Sequence, residues 1–236
     1  MPRNLIIASY FNTGIDTQRG NFVSAADPRK MMLLFTAVQL RLNVVVLHDH
    51  LPDAFCSRFS SDLVDFVRVP SVHSGRTVYT HRHYCAYDYL QSNECGTVFC
   101  TGLFDVVAML NPHSLIDDSH KIWAAIEPSV ICQESKGGEW LINEMHRGYG
   151  RMHDGLLGRL LLNADIFGGT RQHVLDFLEL FIEEMELTKG ANTDMPAFNV
   201  AGHIRMSVGS VWARGAPLHS EFNKFETRLD VAFLHK

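Results

Sequence analysis

Long apolar runs are missing from this sequence. No stretch approaches the roughly 18 apolar residues of a membrane span, and the apolar run in MPRNLIIASYF is too short for a signal-peptide core with its flanks. Those absences suggest a soluble, cytoplasmic protein. Positive charge is also scarce: the formal net charge is -5, and the Lys and Arg residues are scattered. A nucleic-acid binder needs a basic stripe to neutralise phosphates, so that partner is not expected. The five cysteines, Cys56, Cys85, Cys95, Cys100 and Cys132, form no CxxC pair. An odd, dispersed set suits reduced thiols, most of them core filler. The first apolar run leads into Ser9-Tyr10-Phe11-Asn12-Thr13-Gly14, not G-x-G-x-x-G, which argues against a dinucleotide enzyme or a methyltransferase. P-loop and G-x-S-x-G patterns are absent too. With no repeat, low-complexity tract or linker rich in Pro, Gly and Ser, residues 1–236 read as a single domain.

What the sequence does contain is an alternation of β-branched runs with helical patterns. At 236 residues and 46% hydrophobic content this suits one α/β domain with a single core and a mixed sheet flanked by helices. The expected strands are Asn4 to Tyr10, Asn43 to Leu47, Phe66 to Val69, Thr97 to Thr101, Ile122 to Glu127 and Leu161 to Phe167. Helices are expected over Lys30 to Leu42, Tyr84 to Gln91, Glu139 to Arg147 after a Gly137-Gly138 break, and Arg171 to Leu187. In the last of these, Val174, Phe177, Leu178, Phe181, Ile182 and Met185 form a core-facing stripe. The tail from about Gly202 reads as strands and loops folded back over the sheet.

Four short motifs follow one another along this framework: VFCTGLFDVV, LLNADIFGG, TDMPAFN and FLHK. Ligands of open α/β sheets bind outside the carboxyl ends of the strands, which is where Asp105 falls, four residues past Thr101. A carboxylate there either caps a turn or holds a hard cation against a diphosphate. His235 would complete a mixed O/N metal site, and Lys236 would add charge for a leaving phosphate. Asn163 and Asp165 share one face of their strand. Gly168 and Gly169 either admit a ligand to the backbone or end the strand. Thr193 or Asp194 is placed to cap a helix through Asn199.

In this order and spacing the motifs resemble the metal-dependent GT-A glycosyltransferases, most closely the chlorovirus transferases that decorate a capsid protein. The resemblance also takes in NLIIASYF and THRHYCAYDYLQ, so it spans nearly the whole chain. It implies a GT-A-like, Rossmann-like fold and a cytoplasmic transferase, working in the host cytoplasm if viral. The donor would be a nucleotide sugar, usually a uridine diphosphate sugar, and the acceptor a hydroxyl of a glycan or glycoprotein. By the same resemblance Ser9, Tyr10 and Phe11 lie against base and ribose, Arg82 contacts the nucleotide or its phosphates, and Asp105 and His235 bind Mn²⁺ or Mg²⁺. Gly168 and Gly169 line the donor-sugar pocket, Asp194 faces the anomeric carbon, and Lys236 holds the diphosphate.

Two positions depart from the family pattern. Relatives commonly read T-D-x-x-D-V where this chain reads Thr101-Gly102-Leu103-Phe104-Asp105-Val106, so one metal ligand is missing. Its loss would weaken metal binding, move the site toward metal-independent use of Lys236 and Arg82, or mark a domain that binds nucleotide sugar without turnover. Relatives also usually carry Gly where this chain has Asp165, which leaves a new acid to bind a sugar hydroxyl or replace the missing group. If transfer inverts, Asp194 or Asp165 is the candidate base. A rival zinc site could use His48, His50, His81 and His83, since His-x-His on a strand places both rings on one face. Pro217 and His219 read as a loop over the cleft or as a plain turn.

Overall fold

The computed structural model of the chain describes residues 2–11, 31–72, 76–117, 119–188, 194–213, 215–220 and 228–235. In chain order the elements are β1 (Leu5–Tyr10), α1 (Met32–Gln39), β2 (Asn43–His48), α2 (Asp53–Phe59), β3 (Val64–Arg68), α3 (Val78–Ser92), β4 (Thr97–Thr101) and β5 (Val106–Ala108). They continue with β6 (Ile122–Val130), α4 (Lys136–Tyr149), β7 (Leu160–Thr170), α5 (Arg171–Leu187), α6 (Met195–Val200), β8 (Val211–Ala213) and β9 (Phe233–His235).

The fold is α/β, with a seven-stranded mixed sheet flanked by helices. Its order is β3-β2-β1-β4-β7-β6-β8. Strands β1 to β4 run parallel, β7 runs antiparallel to both β4 and β6, and β6 is parallel to β8. β5 and β9 form a separate two-stranded antiparallel sheet, with Val106 opposite His235. The expected strands are all present, and the tail supplies β8 and β9.

Strands covered on both faces read as unbroken apolar runs, and this one does: LIIASY and NVVVLH are buried almost throughout. The sheet therefore divides the core in two, where the composition suggested a single one. Leu5, Ile7, Val98 and Cys100 pack with α3, α5 and α6 through Leu90, Phe177, Phe181 and Phe198. Ile6, Ala8, Val44 and Phe99 pack on the other face with Leu33 and Ala37 of α1 and with Phe233 of β9. A smaller cluster joins α4 to β7 through Leu141, Met145 and Leu161.

α5 has the predicted bounds. α3 begins six residues before the predicted start, because Thr77 and Thr80 form a reciprocal capping box ahead of a polar first turn that shows no apolar period. α4 contains Gly137 and Gly138 instead of following them; Ser135 accepts the Gly138 amide at 3.0 Å, so the glycines make the helix's first turn. The predicted α1 began at Lys30, which lies outside the described residues. α2 was not anticipated. Cys85, Cys95 and Cys100 are buried, and all five cysteines are free thiols. Among the described residues no helix is long and apolar enough to cross a membrane.

Candidate functional site

At β1 the strand order turns back: β2 and β3 lie on one side, β4 on the other. The crevice at the carboxyl ends of β1 and β4 is where such sheets admit ligands. Two clefts adjoin there. One, of about 250 Å³, is lined by Ser9, Phe11, Tyr79, Arg82, Gly102 and Asp105, among others. The other, of about 330 Å³, reaches under β6 and α4 past Glu127, Ser129, Trp140, Asn163, Asp194 and His235. Tyr79, Arg82, Asp105 and Asp165 line both.

Between the clefts, Asp105, Asp165 and His235 each offer a ligand atom within 4.8 Å of the others. Local pairing accounts for the convergence. β5 starts one residue after Asp105 and holds Val106 opposite His235, which delivers the far end of the chain to Asp105. β7 pairs Ile166 with Thr101, and the Gly102 amide donates to the Asp165 carbonyl at 3.1 Å, so Asp165 lies across from Gly102. Residues opposite each other in an antiparallel pair project from the same sheet face. A Cβ on residue 102 would collide with Asp105 Oδ1. Asp165 thus brings a second carboxylate to Asp105 from the neighbouring strand.

The charges of this cluster act on one another at close range. Burial, reinforced by the charge of Asp165, pushes the Asp105 carboxyl above the usual carboxylate range, and His235 only partly offsets it. Burial also opposes ionisation of Asp165, but Arg82 and His235 outweigh it and hold that carboxyl well below the usual range. For His235, burial disfavours the charge, yet the hydrogen bond and field of Asp165, 3.5 Å away, with Asp105 and Glu127 beyond, raise its pKa above the ordinary imidazole value. Two carboxylates and an imidazole at this spacing form a donor set suited to a divalent cation, which would relieve the repulsion between the acids.

Arg82 on α3 organises the back of the site. Its Nη1 donates to Asp165 Oδ1 and its Nη2 to Asp194 Oδ2 at 2.7 Å. His83 Nε2 donates to the same Asp194 oxygen at 2.7 Å. Asp194 is 3% exposed, and although burial opposes its charge, Arg82 and His83 hold its carboxyl below the usual range. It sits just ahead of α6 but makes no side-chain cap. Capping is therefore not its role; its carboxylate is committed to α3. Asn199, from the same motif, is fully buried and ties α6 to β7: it accepts the Leu162 amide at 2.9 Å and donates to the Leu162 and Met195 carbonyls at 3.0 Å.

Several expected site residues lie elsewhere. Ser9 and Phe11 line the smaller cleft, but Tyr10 between them points to the opposite face, 1% exposed and packed against Phe104. Strand alternation separates it from any ligand beside Ser9. Gly168 and Gly169 do not floor the cleft. They pair with Phe99 and Val98 inside the sheet, where a Cβ on Gly168 would strike the Phe99 ring and a Cβ on Gly169 the Lys121 carbonyl. His219 is no cleft-side loop residue either: it is fully buried and accepts the Ile126 amide at 2.8 Å. The zinc alternative also fails on geometry. His81 and His83 lie on helix α3, where a two-residue step turns the rings to different faces, and they bond Pro70 and Asp194 respectively. His48 ends β2 with its Nδ1 accepting the Leu51 amide at 3.2 Å. Lys236 and Thr193 lie outside the described residues.

Glu127, Trp140 and Tyr79 were missed. Glu127 carries a sequence signal: it is the first charged residue after the buried apolar run Ile122 to Ile126 of β6. Asn163 donates to its Oε1. Burial raises its pKa above the usual carboxylate range despite that bond. Trp140 carried no signal in the sequence beyond its place in an amphipathic helix. Compared with known proteins, the chain matches no protein-family model and no curated sequence.

Proposed function

We propose that this protein is a glycosyltransferase that moves a sugar from a nucleoside diphosphate sugar, with uridine diphosphate as the expected carrier, to a hydroxyl of a glycan or glycoprotein. The observation that carries this reading is the Asp105, Asp165 and His235 cluster, set at the carboxyl ends of β1 and β4 between two clefts. The donor set fits Mn²⁺ or Mg²⁺, and such an ion, when bound, neutralises the diphosphate that departs from the anomeric carbon.

The chain's own residues divide the remaining work. Ser9 and Phe11 offer the smaller cleft a hydroxyl and an apolar ring for a nucleoside. Arg82 has both terminal nitrogens engaged by acids, so its task is to hold Asp165 and Asp194 in place and charged, ahead of any direct grip on phosphate. In the transfer, an acceptor oxygen forms a bond to the anomeric carbon, the bond from that carbon to the diphosphate oxygen breaks, and the departing diphosphate takes up the acceptor proton. Asp165 and Asp194 are poor bases while Arg82 keeps them strongly acidic. Their role in this reading is to orient and to balance charge.

The test is turnover. With Mn²⁺ present, the purified chain is expected to release uridine diphosphate from at least one of a panel of uridine diphosphate sugars, at a rate that falls at least about 100-fold in Asp105→Ala. Binding of these donors without any release would leave a nucleotide-sugar-binding domain that does not turn over.

A further inference from the structure

The two clefts beside the cluster differ in character. The larger one ends on a wall made by β6 and the first turns of α4, where Glu127, Ser129 and Trp140 line the space. Trp140 is 39% exposed, and among the described residues its indole stacks on no other ring, whereas Trp123 and Trp212 stack on each other with centroids 4.7 Å apart. Glu127 is fixed by a relay: the Asp165 amide donates to Asn163 Oδ1 at 2.7 Å, and Asn163 Nδ2 donates to Glu127 Oε1. Gly137 keeps the helix close to the strand, since a Cβ there would lie 2.7 Å from Ser129 Oγ. An accessible aromatic face beside an immobilised carboxylate and a hydroxyl matches the two-sided chemistry of a sugar ring, with its apolar C–H face and its hydroxyl-bearing edge.

We propose that this wall is a subsite for a pyranose ring, with the Trp140 indole as the stacking platform and the Glu127 carboxylate as the acceptor of hydrogen bonds from ring hydroxyls. The proposal rests on the transferase reading only for the ring's place beside the cluster. The ring belongs either to the acceptor or to the donor. The shared chemistry is the same, and the two sources separate experimentally.

Ligand-observed NMR on the full chain would be recorded with methyl glycopyranosides of glucose, galactose, mannose and N-acetylglucosamine, with and without uridine diphosphate and Mn²⁺. The native chain would be compared with Trp140→Leu and Glu127→Gln. Trp140 is partly exposed and Gln can still accept from Asn163, so both variants are expected to fold. At least one glycoside should bind the native chain, with its Kd raised about tenfold in Trp140→Leu and several-fold in Glu127→Gln, and with uridine diphosphate affinity unchanged. Free glycoside bound alongside uridine diphosphate identifies the acceptor's ring. A gain in affinity of uridine diphosphate sugar over uridine diphosphate that vanishes in Trp140→Leu identifies the donor's. Either supports the subsite. If no pyranose, free or attached to the nucleotide, distinguishes native from Trp140→Leu, the subsite is overturned, and nucleotide binding in that experiment leaves the transferase reading intact. Glycoside binding in a chain that ignores uridine diphosphate would support the subsite and remove that reading.

Discussion

Gly102 and Asp165 face each other across β4 and β7, joined by a hydrogen bond from the Gly102 amide to the Asp165 carbonyl at 3.1 Å. The space in which a side chain on 102 would begin is filled by the Asp105 carboxylate. Glycine at 102 thus leaves room for the Asp105 carboxylate, while the acid across the ladder is supplied by Asp165. The two positions where this chain departs from the motifs it resembles therefore lie directly across from each other in the sheet.

This arrangement has a consequence for Gly102→Ala. The added methyl meets the far end of a movable side chain, so the fold should survive with a melting temperature within a few degrees of native. Asp105 must swing away, however, and Mn²⁺ affinity is expected to fall about tenfold. Titration calorimetry with Mn²⁺ alone reads this directly; unchanged affinity would show that Asp105 does not serve the ion in its present position.

Arg82 neutralises two acids, one of them almost wholly buried. Arg82→Ala should destabilise the fold by about 3–5 kcal/mol, because it leaves Asp165 and Asp194 uncompensated. Asp194→Asn in the Arg82→Ala background should recover part of that loss. Urea unfolding of the single and double variants measures the coupling, and strictly additive costs would count against the network.

Asn199 meets three backbone groups from a fully buried position. Asn199→Ala strands the Leu162 amide and is expected to lower stability by about 2–3 kcal/mol. Hydrogen exchange at Leu162 should speed up while the amides of β1 remain protected.

Acid sensitivity follows from two histidines, His219 fully buried and His113 half-buried. Burial lowers His113 to about 4, and burial with the nearby His235 charge lowers His219 to about 3, against an ordinary value of 6.5. Below the ordinary value the unfolded chain takes up protons that the folded chain refuses, so stability is full above it and falls as the pH drops toward the folded values. Each histidine contributes a slope of about 1.4 kcal/mol per pH unit in that window. Urea midpoints measured at pH 7, 6 and 5 should decline, and His113→Gln should flatten the decline by about one proton's worth.

Apolar runs and the α5 stripe made the parallel half of the sheet and its helices legible in the sequence, because burial on both faces leaves a continuous signal in the residues themselves. α3 started earlier than its apolar pattern because a cap, not periodicity, begins it. At the site, Asp105 and His235 were readable from their places in the motifs. Asp165 reads in the sequence as an acid able to replace the missing group, and the register between β4 and β7 that carries it to Asp105 and His235 exists only in the folded sheet. Ser9, Tyr10 and Phe11 do not form one surface, because strand alternation sends Tyr10 to the opposite face. Gly168 and Gly169 read like a ligand floor in the sequence, but the close approach they permit is that of Phe99 and of the Lys121 backbone. Glu127 and Trp140 come from distant elements, and only the folded sheet brings them to the same cleft.

What decides the proposed function is whether Asp105, Asp165 and His235 together hold a divalent ion that engages a nucleoside diphosphate. Calorimetric titration of uridine diphosphate into native protein and into Asp165→Asn, each with and without Mn²⁺, addresses that most directly. The expected result is binding by the native chain that strengthens at least about tenfold with Mn²⁺, a gain that Asp165→Asn loses. Uridine diphosphate binding that is indifferent to both Mn²⁺ and Asp165, or no binding at all, would contradict it.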